Sequence, residues 1–175
     1  MTDDDLRAGL GEAYLEGDFV LRSGRRSRYY LDKYRFETRP DLLEALGDRL
    51  ADAVAAHEPE AARLAGPELG AVALAAAASL SSRLPFLIVR NEAKGYGTAN
   101  RIEGVFEPGE TVCLVEDVVT SGGAAVSSVR ALREAGLVCR TAVCVVDREE
   151  GGADALARKA VRLHALFRAR DVLES

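Results

Sequence analysis

Apolar positions along the chain fall into two rhythms that take turns. Residues 40–56 carry Leu42, Leu43, Leu46, Leu50, Ala53 and Val54 at helical spacing, with Pro40 suited to a first turn. Residues 70–80 form an alanine-rich run and residues 125–135 a second amphipathic stretch stopped by Gly136, so both are predicted as helices. Between them lie short apolar runs: 63–65, 85–90, 111–115, 138–146 and 161–167. The run from Thr111 to Val115 is continuously apolar and β-branched, the pattern of a strand buried on both faces. Strands alternating with helices imply an α/β fold, a parallel sheet with helices on both faces. Ahead of it, residues 3–16 read as a helix with Leu6, Leu10, Ala13 and Tyr14 on one face and Gly17 as its stop. Two short strands around Ser23-Gly24 read as a hairpin. Residues 153–159 are predicted helical, and 171–173 a terminal turn.

Composition narrows the class. The 175 residues suit one domain, 1–175, and 48% apolar residues can fill one core. A net charge of −5 gives no basic field to attract nucleic acid. The 23 cations include three lysines, Lys33, Lys94 and Lys159; the arginine excess fits anion recognition or a codon bias. Cys113, Cys139 and Cys144 sit in apolar runs without metal-ligand spacing, which reads as reduced cysteine in a cytoplasmic protein. Met1-Thr-Asp-Asp-Asp is not a signal peptide, and Leu69–Leu80 is too short to span a bilayer.

The chemistry concentrates in residues 111–124. A strand ends in Glu116 and Asp117, then Thr120, Ser121, Gly122 and Gly123 lead into a helix at Ala124. A glycine turn at a helix N-terminus offers backbone N–H groups to a phosphate, and two carboxylates beside it suit ribose hydroxyls or a divalent metal. The plainer reading is a capped helix after a solvated strand end. No lysine follows a glycine as a P-loop requires, and no complete G-x-G-x-x-G exists. Three other stretches carry candidate chemistry. Residues 18–32 hold four arginines and the pair Tyr29-Tyr30, suited to a planar anion or simply an exposed hairpin. The turn Gly66-Pro-Glu-Leu-Gly70 precedes a helix, and residues 91–104 read as a long polar loop.

The segment VCLVEDVVTSGGA, Val112 to Ala124, resembles the phosphoribosyl-pyrophosphate (PRPP) motif of type I phosphoribosyltransferases. Residues 19–30, with the pattern F-x-L-x-S-G-x-x-S-x-Y-Y, resemble the N-terminal hood of orotate phosphoribosyltransferases, and R-x-E-x-K-x-x-G from Arg90 resembles that family's catalytic loop. The resemblance implies a type I fold with a hood over about 1–36 and a core over about 37–175. It implies transfer of the 5-phosphoribosyl group from PRPP to orotate, giving orotidine 5′-monophosphate and pyrophosphate in pyrimidine (UMP) biosynthesis. By it, Glu116 and Asp117 hold the ribose and Thr120, Ser121, Gly122, Gly123 and Ala124 cradle the 5′-phosphate. Arg90, Lys94 and the Glu68–Leu69 turn meet the pyrophosphate, the turn through a cis peptide. Arg22, Tyr30, Thr120 and Arg148 meet orotate, and Lys94, Arg90 and Asp117 are the catalytic set. Magnesium is bound mainly through PRPP, and a homodimer shares its sites through the loop.

The sequence departs from the family pattern at five places. Arg22 stands where some members carry an orotate-contacting lysine, which keeps the charge but not its geometry. Leu31 replaces an aromatic, Gly70 a lysine whose contact must then come from the backbone, Asn91 a lysine and Tyr96 a histidine. Two other readings stay open: a phosphoribosyltransferase for another base, and a PRPP-sensing regulator without turnover. Against the regulator stands the small number of residues before the hood, too few for a helix-turn-helix domain.

Overall fold

The computed structural model describes residues 1–20, 24, 26–92 and 101–173. Its centre is a six-stranded sheet built from β3 (Arg63–Pro67), β4 (Phe86–Val89), β5 (Ile102–Glu103), β6 (Thr111–Val119), β7 (Val138–Asp147) and β8 (Arg162–Arg168). The spatial order is β5-β4-β3-β6-β7-β8. All neighbours are parallel except β5, which runs antiparallel to β4 at the edge. A parallel sheet needs cover on both faces, and alternation along each strand divides the core accordingly. Cys113, Val115, Val143 and Val145 pack with α3 (Pro40–His57) and α4 (Gly70–Ser82). Val112, Leu114 and Ala142 pack with α5 (Gly123–Glu134) and α6 (Gly152–Ala157). The spacing that predicts the 40–56 helix is the spacing of its buried face: Leu42, Leu46, Leu50 and Val54 are each at most 1% exposed.

The N-terminal segment departs from its sequence pattern. Helix α1 (Asp3–Gly11) starts on a capping box between Thr2 and Asp5 and buries Leu6 and Leu10. It ends there, five residues before the predicted stop at 16, and Gly17 lies inside strand β1 (Tyr14–Val20). The cause is tertiary. β1 pairs antiparallel with β2 (Arg26–Leu31), Tyr14 opposite Leu31, and the Asp32 N–H donates to the Ala13 carbonyl at 2.8 Å. Helical spacing over Ala13 and Tyr14 cannot compete with that ladder. The hairpin is a separate two-stranded sheet, whereas α1 shares the core cluster of α3. A short α2 (Tyr34–Glu37) then leads from the hairpin to the core, burying Phe36. Helix α7 (Ala169–Leu173) replaces the predicted terminal turn.

Candidate active site

The parallel strands deliver their carboxyl ends to one crevice, where open α/β sheets bind ligands. β6 and β7 arrive side by side, with Val119 opposite Asp147. The sequence pattern ends β6 at Val115, but pairing with the ten-residue β7 carries it on to Val119. Glu116 and Asp117 therefore lie within the strand, and successive strand residues point to opposite faces. Two acids adjacent in sequence become two separately placed acids in the fold.

Glu116 joins the turn side. A recess of about 70 Å³ is lined by Glu116 and by Val118 to Ala125. Gly122 opens α5 with φ +80°, a left-handed conformation that costs other residues about 1–2 kcal/mol. A Cβ there would also fall 2.9 Å from the Gly152 carbonyl oxygen, where α6 packs against the turn. Thr120, Ser121, Gly123 and Ala124 complete the recess at the N-terminus of α5, the end that favours an anion. Glu116 is 6% exposed, and its Oε1 is buried without a hydrogen-bond partner among the described residues. Burial first, then the charge of Asp117, push its pKa up to about 8. At neutral pH it is a protonated acid with a proton to donate.

Asp117 faces the α4 side, and there the structure adds two residues that sequence reasoning missed. Lys33 Nζ lies 2.5 Å from Asp117 Oδ2. Burial opposes the lysine's charge, but the Asp117 charge, the hydrogen bond to it and Glu37 outweigh that and raise its pKa. Glu37 is 4% exposed with Oε1 unpartnered among the described residues; burial, then Asp117, raise its pKa. Both residues come from the link between hairpin and core. The available signal was the scarcity of lysine in an arginine-rich chain.

The turn before α4 contains a cis peptide bond at Glu68–Leu69, where the family resemblance places one. Glu68 accepts the Asn91 N–H at 2.8 Å, and Leu69 is 72% exposed. Arg90 stands at the end of β4 with Glu103 Oε1 4.0 Å from its Nη1, and its Nε is buried without a hydrogen-bond partner among the described residues. Lys94 and Arg22 lie outside the described residues.

At the other end of the crevice Arg148 follows β7, its N–H donating to the Val119 carbonyl at 2.9 Å. Its guanidinium is 2.8 Å from Glu150 Oε1. Tyr14 Oη, buried and without a hydrogen-bond partner among the described residues, feels both charges; burial, the larger effect, raises its pKa. Tyr30 is exposed on the hairpin, its ring centroid 5.5 Å from that of Phe19. Leu31, in place of an aromatic, turns into the core. The structure thus gathers Glu116, the 120–124 turn and Arg148 at the ends of neighbouring strands, with Asp117, Glu68 and Leu69 around the start of α4.

No family model matches this chain. Over 157 residues it is 50% identical to the orotate phosphoribosyltransferase of Methanocella arvoryzae, an alignment covering 90% of this chain and 88% of that protein. The chain belongs to the orotate phosphoribosyltransferase family. The same family supplies solved structures of like shape. The orotate phosphoribosyltransferase of Aeropyrum pernix superposes with a TM-score of 0.82 at 35% identity, covering 94% of this chain and 92% of that one. The Mycobacterium tuberculosis orotate phosphoribosyltransferase in complex with PRPP does so with a TM-score of 0.80 at 26% identity, covering 96% of each chain. The type I phosphoribosyltransferase fold expected from the PRPP motif is the fold observed.

Proposed function

We propose that this chain transfers the 5-phosphoribosyl group of PRPP to orotate, forming orotidine 5′-monophosphate and pyrophosphate on the route to UMP. One observation supports the reading: the acid-bearing end of β6 and the Arg148 end of β7 lie side by side, with a glycine-turn recess next to Glu116. The turn and the N-terminus of α5 take the 5′-phosphate. Glu116 and Asp117 take the ribose hydroxyls. Arg148, with Tyr30 and Arg22 from the hairpin, takes the anionic base. Arg90, Lys94 and the Glu68–Leu69 turn meet the pyrophosphate.

Displacement at the anomeric carbon passes through a cation-like sugar, so the demands are alignment and neutralisation of the leaving charge. Bound as the counter-ion of PRPP, magnesium would supply part of that neutralisation. Asp117, an acid beside the 68–70 turn, holds Lys33. A cytoplasmic setting is part of the reading, supported by three buried, unpaired cysteines. Among the described residues no helix is long and apolar enough to cross a membrane.

The test is loss of orotate absorbance with PRPP and magnesium present. Turnover of another base in place of orotate would name a different phosphoribosyltransferase, and PRPP binding without turnover a sensor. A homodimer with shared sites is tested by mixing Lys94→Ala with Asp117→Asn. About half of the dimers become hybrids, each with one intact site, so activity should recover to about a quarter of wild type. Confirmed subunit exchange without recovery would assign the loop to its own subunit.

A further inference from the structure

Lys33 occupies a position that its place in the sequence does not announce. It lies in the link between hairpin and core, yet its ammonium reaches the start of α4. A Cβ built on Gly70 would fall 2.6 Å from Lys33 Nζ and 2.9 Å from Glu37 Oε1, and would collide with Asp117 Oδ2. Gly70 is the residue after the Glu68–Leu69 turn and the first of α4. The ammonium therefore fills the space that a side chain at position 70 would enter.

The ammonium also has donors to spare. A lysine carries three N–H groups. One meets Asp117 Oδ2, and the Tyr34 ring lies 5.6 Å away as a cation–π neighbour. Glu37 stands beside the group as a buried acid with Oε1 unpartnered among the described residues, and its raised pKa leaves it protonated near neutral pH. The lysine side chain is 32% exposed, so it is not sealed in by the pair it makes. Asp117 Oδ1 takes the Val118 N–H, which leaves Oδ2 as the atom shared between Lys33 and an incoming ribose hydroxyl.

We propose that Lys33 is the pyrophosphate-binding cation of the 68–70 turn, bridging Asp117 and the pyrophosphoryl group of PRPP. This rests on the ribose-phosphate reading given above for the same site. One donor stays on Asp117, and the remaining donors face the leaving group. The hairpin is thereby tied to the chemistry of the sugar as well as to the base, because Lys33 follows directly on the segment that carries Tyr30.

The experiment compares two ligands that differ by the pyrophosphoryl group. PRPP and ribose 5-phosphate are titrated by calorimetry, with magnesium, into wild type, Lys33→Met, Lys33→Gln and Lys33→Arg. Thermal unfolding of each variant establishes that it is folded. Lys33→Gln keeps a donor for Asp117 and serves if Lys33→Met does not fold. The expected result is a loss of about tenfold or more in PRPP affinity for the Met and Gln variants. Ribose 5-phosphate affinity should change by less than about twofold, and Lys33→Arg should bind PRPP within about threefold of wild type. Equal losses for both ligands would mean that Lys33 acts only through Asp117, and unchanged PRPP affinity would make the pair purely structural. Either result overturns the proposal. If wild type bound neither ligand, the ribose-phosphate reading itself would fall, and the proposal with it.

Discussion

The two ends of the crevice are made in different ways. The end proposed for the ribose phosphate comes from one unbroken stretch, β6 through the start of α5, rooted between two core clusters. Its acidic groups are buried: Glu116 is 6% exposed and Asp117 5%. The end proposed for the base is assembled from segments far apart in sequence, the β1–β2 hairpin and the residues after β7, and its parts are more open. Tyr30 is 44% exposed, and Arg148 is paired with a glutamate that is itself partly exposed. A buried end suits a group common to many substrates. An open end with replaceable contacts suits the part that distinguishes them. Arg148 also holds a carboxylate, Glu150, so on the proposed reading base binding would involve exchange of partners.

Three measurements break or sharpen this contrast. Arg148→Ala should raise the Michaelis constant for orotate by about 10- to 150-fold, the cost of about 1.5–3 kcal/mol for one charge-assisted contact. The constant for PRPP should move little, and an unchanged orotate constant would remove Arg148 from the base end. Next in size, Asp117→Asn should weaken PRPP binding by at least about tenfold, or about 1.4 kcal/mol, by calorimetry with magnesium. Were orotate binding to suffer instead, the division of the crevice would be wrong.

The smallest effect concerns buried charge. Glu116 has a folded pKa of about 8 against an ordinary 4.5, so the folded protein holds a proton that the unfolded chain releases. Its contribution to stability is complete below pH 4.5 and is lost as pH rises through 8. Glu116→Gln should flatten the fall of unfolding free energy across that window by at most about 1.4 kcal/mol per pH unit. His164, whose pKa is lowered by burial and then by His57 and Arg162, gives the opposite slope below pH 6.5 and is untouched by the substitution. Parallel stability curves for variant and wild type would show that Glu116 is not held neutral.

The same contrast governs what could be read in advance. Residues that act with their sequence neighbours were legible. The strand, acids, turn and helix of 111–134 announce themselves by pattern, and Gly122 stands where a left-handed turn needs it. What depends on partners distant in sequence was not. β6 runs on past Val115 because β7 is there to pair with it. The helix predicted to residue 16 yields to a hairpin ladder. Lys33 reaches Asp117 across 84 positions, a contact no local pattern encodes. Arg22 and Lys94 lie outside the described residues, so their assignment rests on resemblance alone.

The small antiparallel strand β5 has a consequence for how this chain tolerates change. Arg90 and Arg101 are joined twice: the Arg90 N–H donates to the Arg101 carbonyl at 2.8 Å, and Arg101 Nε donates to the Arg90 carbonyl at 3.1 Å. Arg101 Nη2 also reaches Ser127 Oγ on α5 at 3.3 Å. The backbone leaves and re-enters the core through one hydrogen-bonded gate. Once a gate is closed, the span between its posts is nearly free to vary, since doubling a loop's length adds only about 0.6 kcal/mol of closure entropy. An insertion between Arg90 and Arg101 should therefore cost little in closure entropy, read as a small change in melting temperature. Length can change there while the hydrogen bonds that anchor its two ends stay as they are.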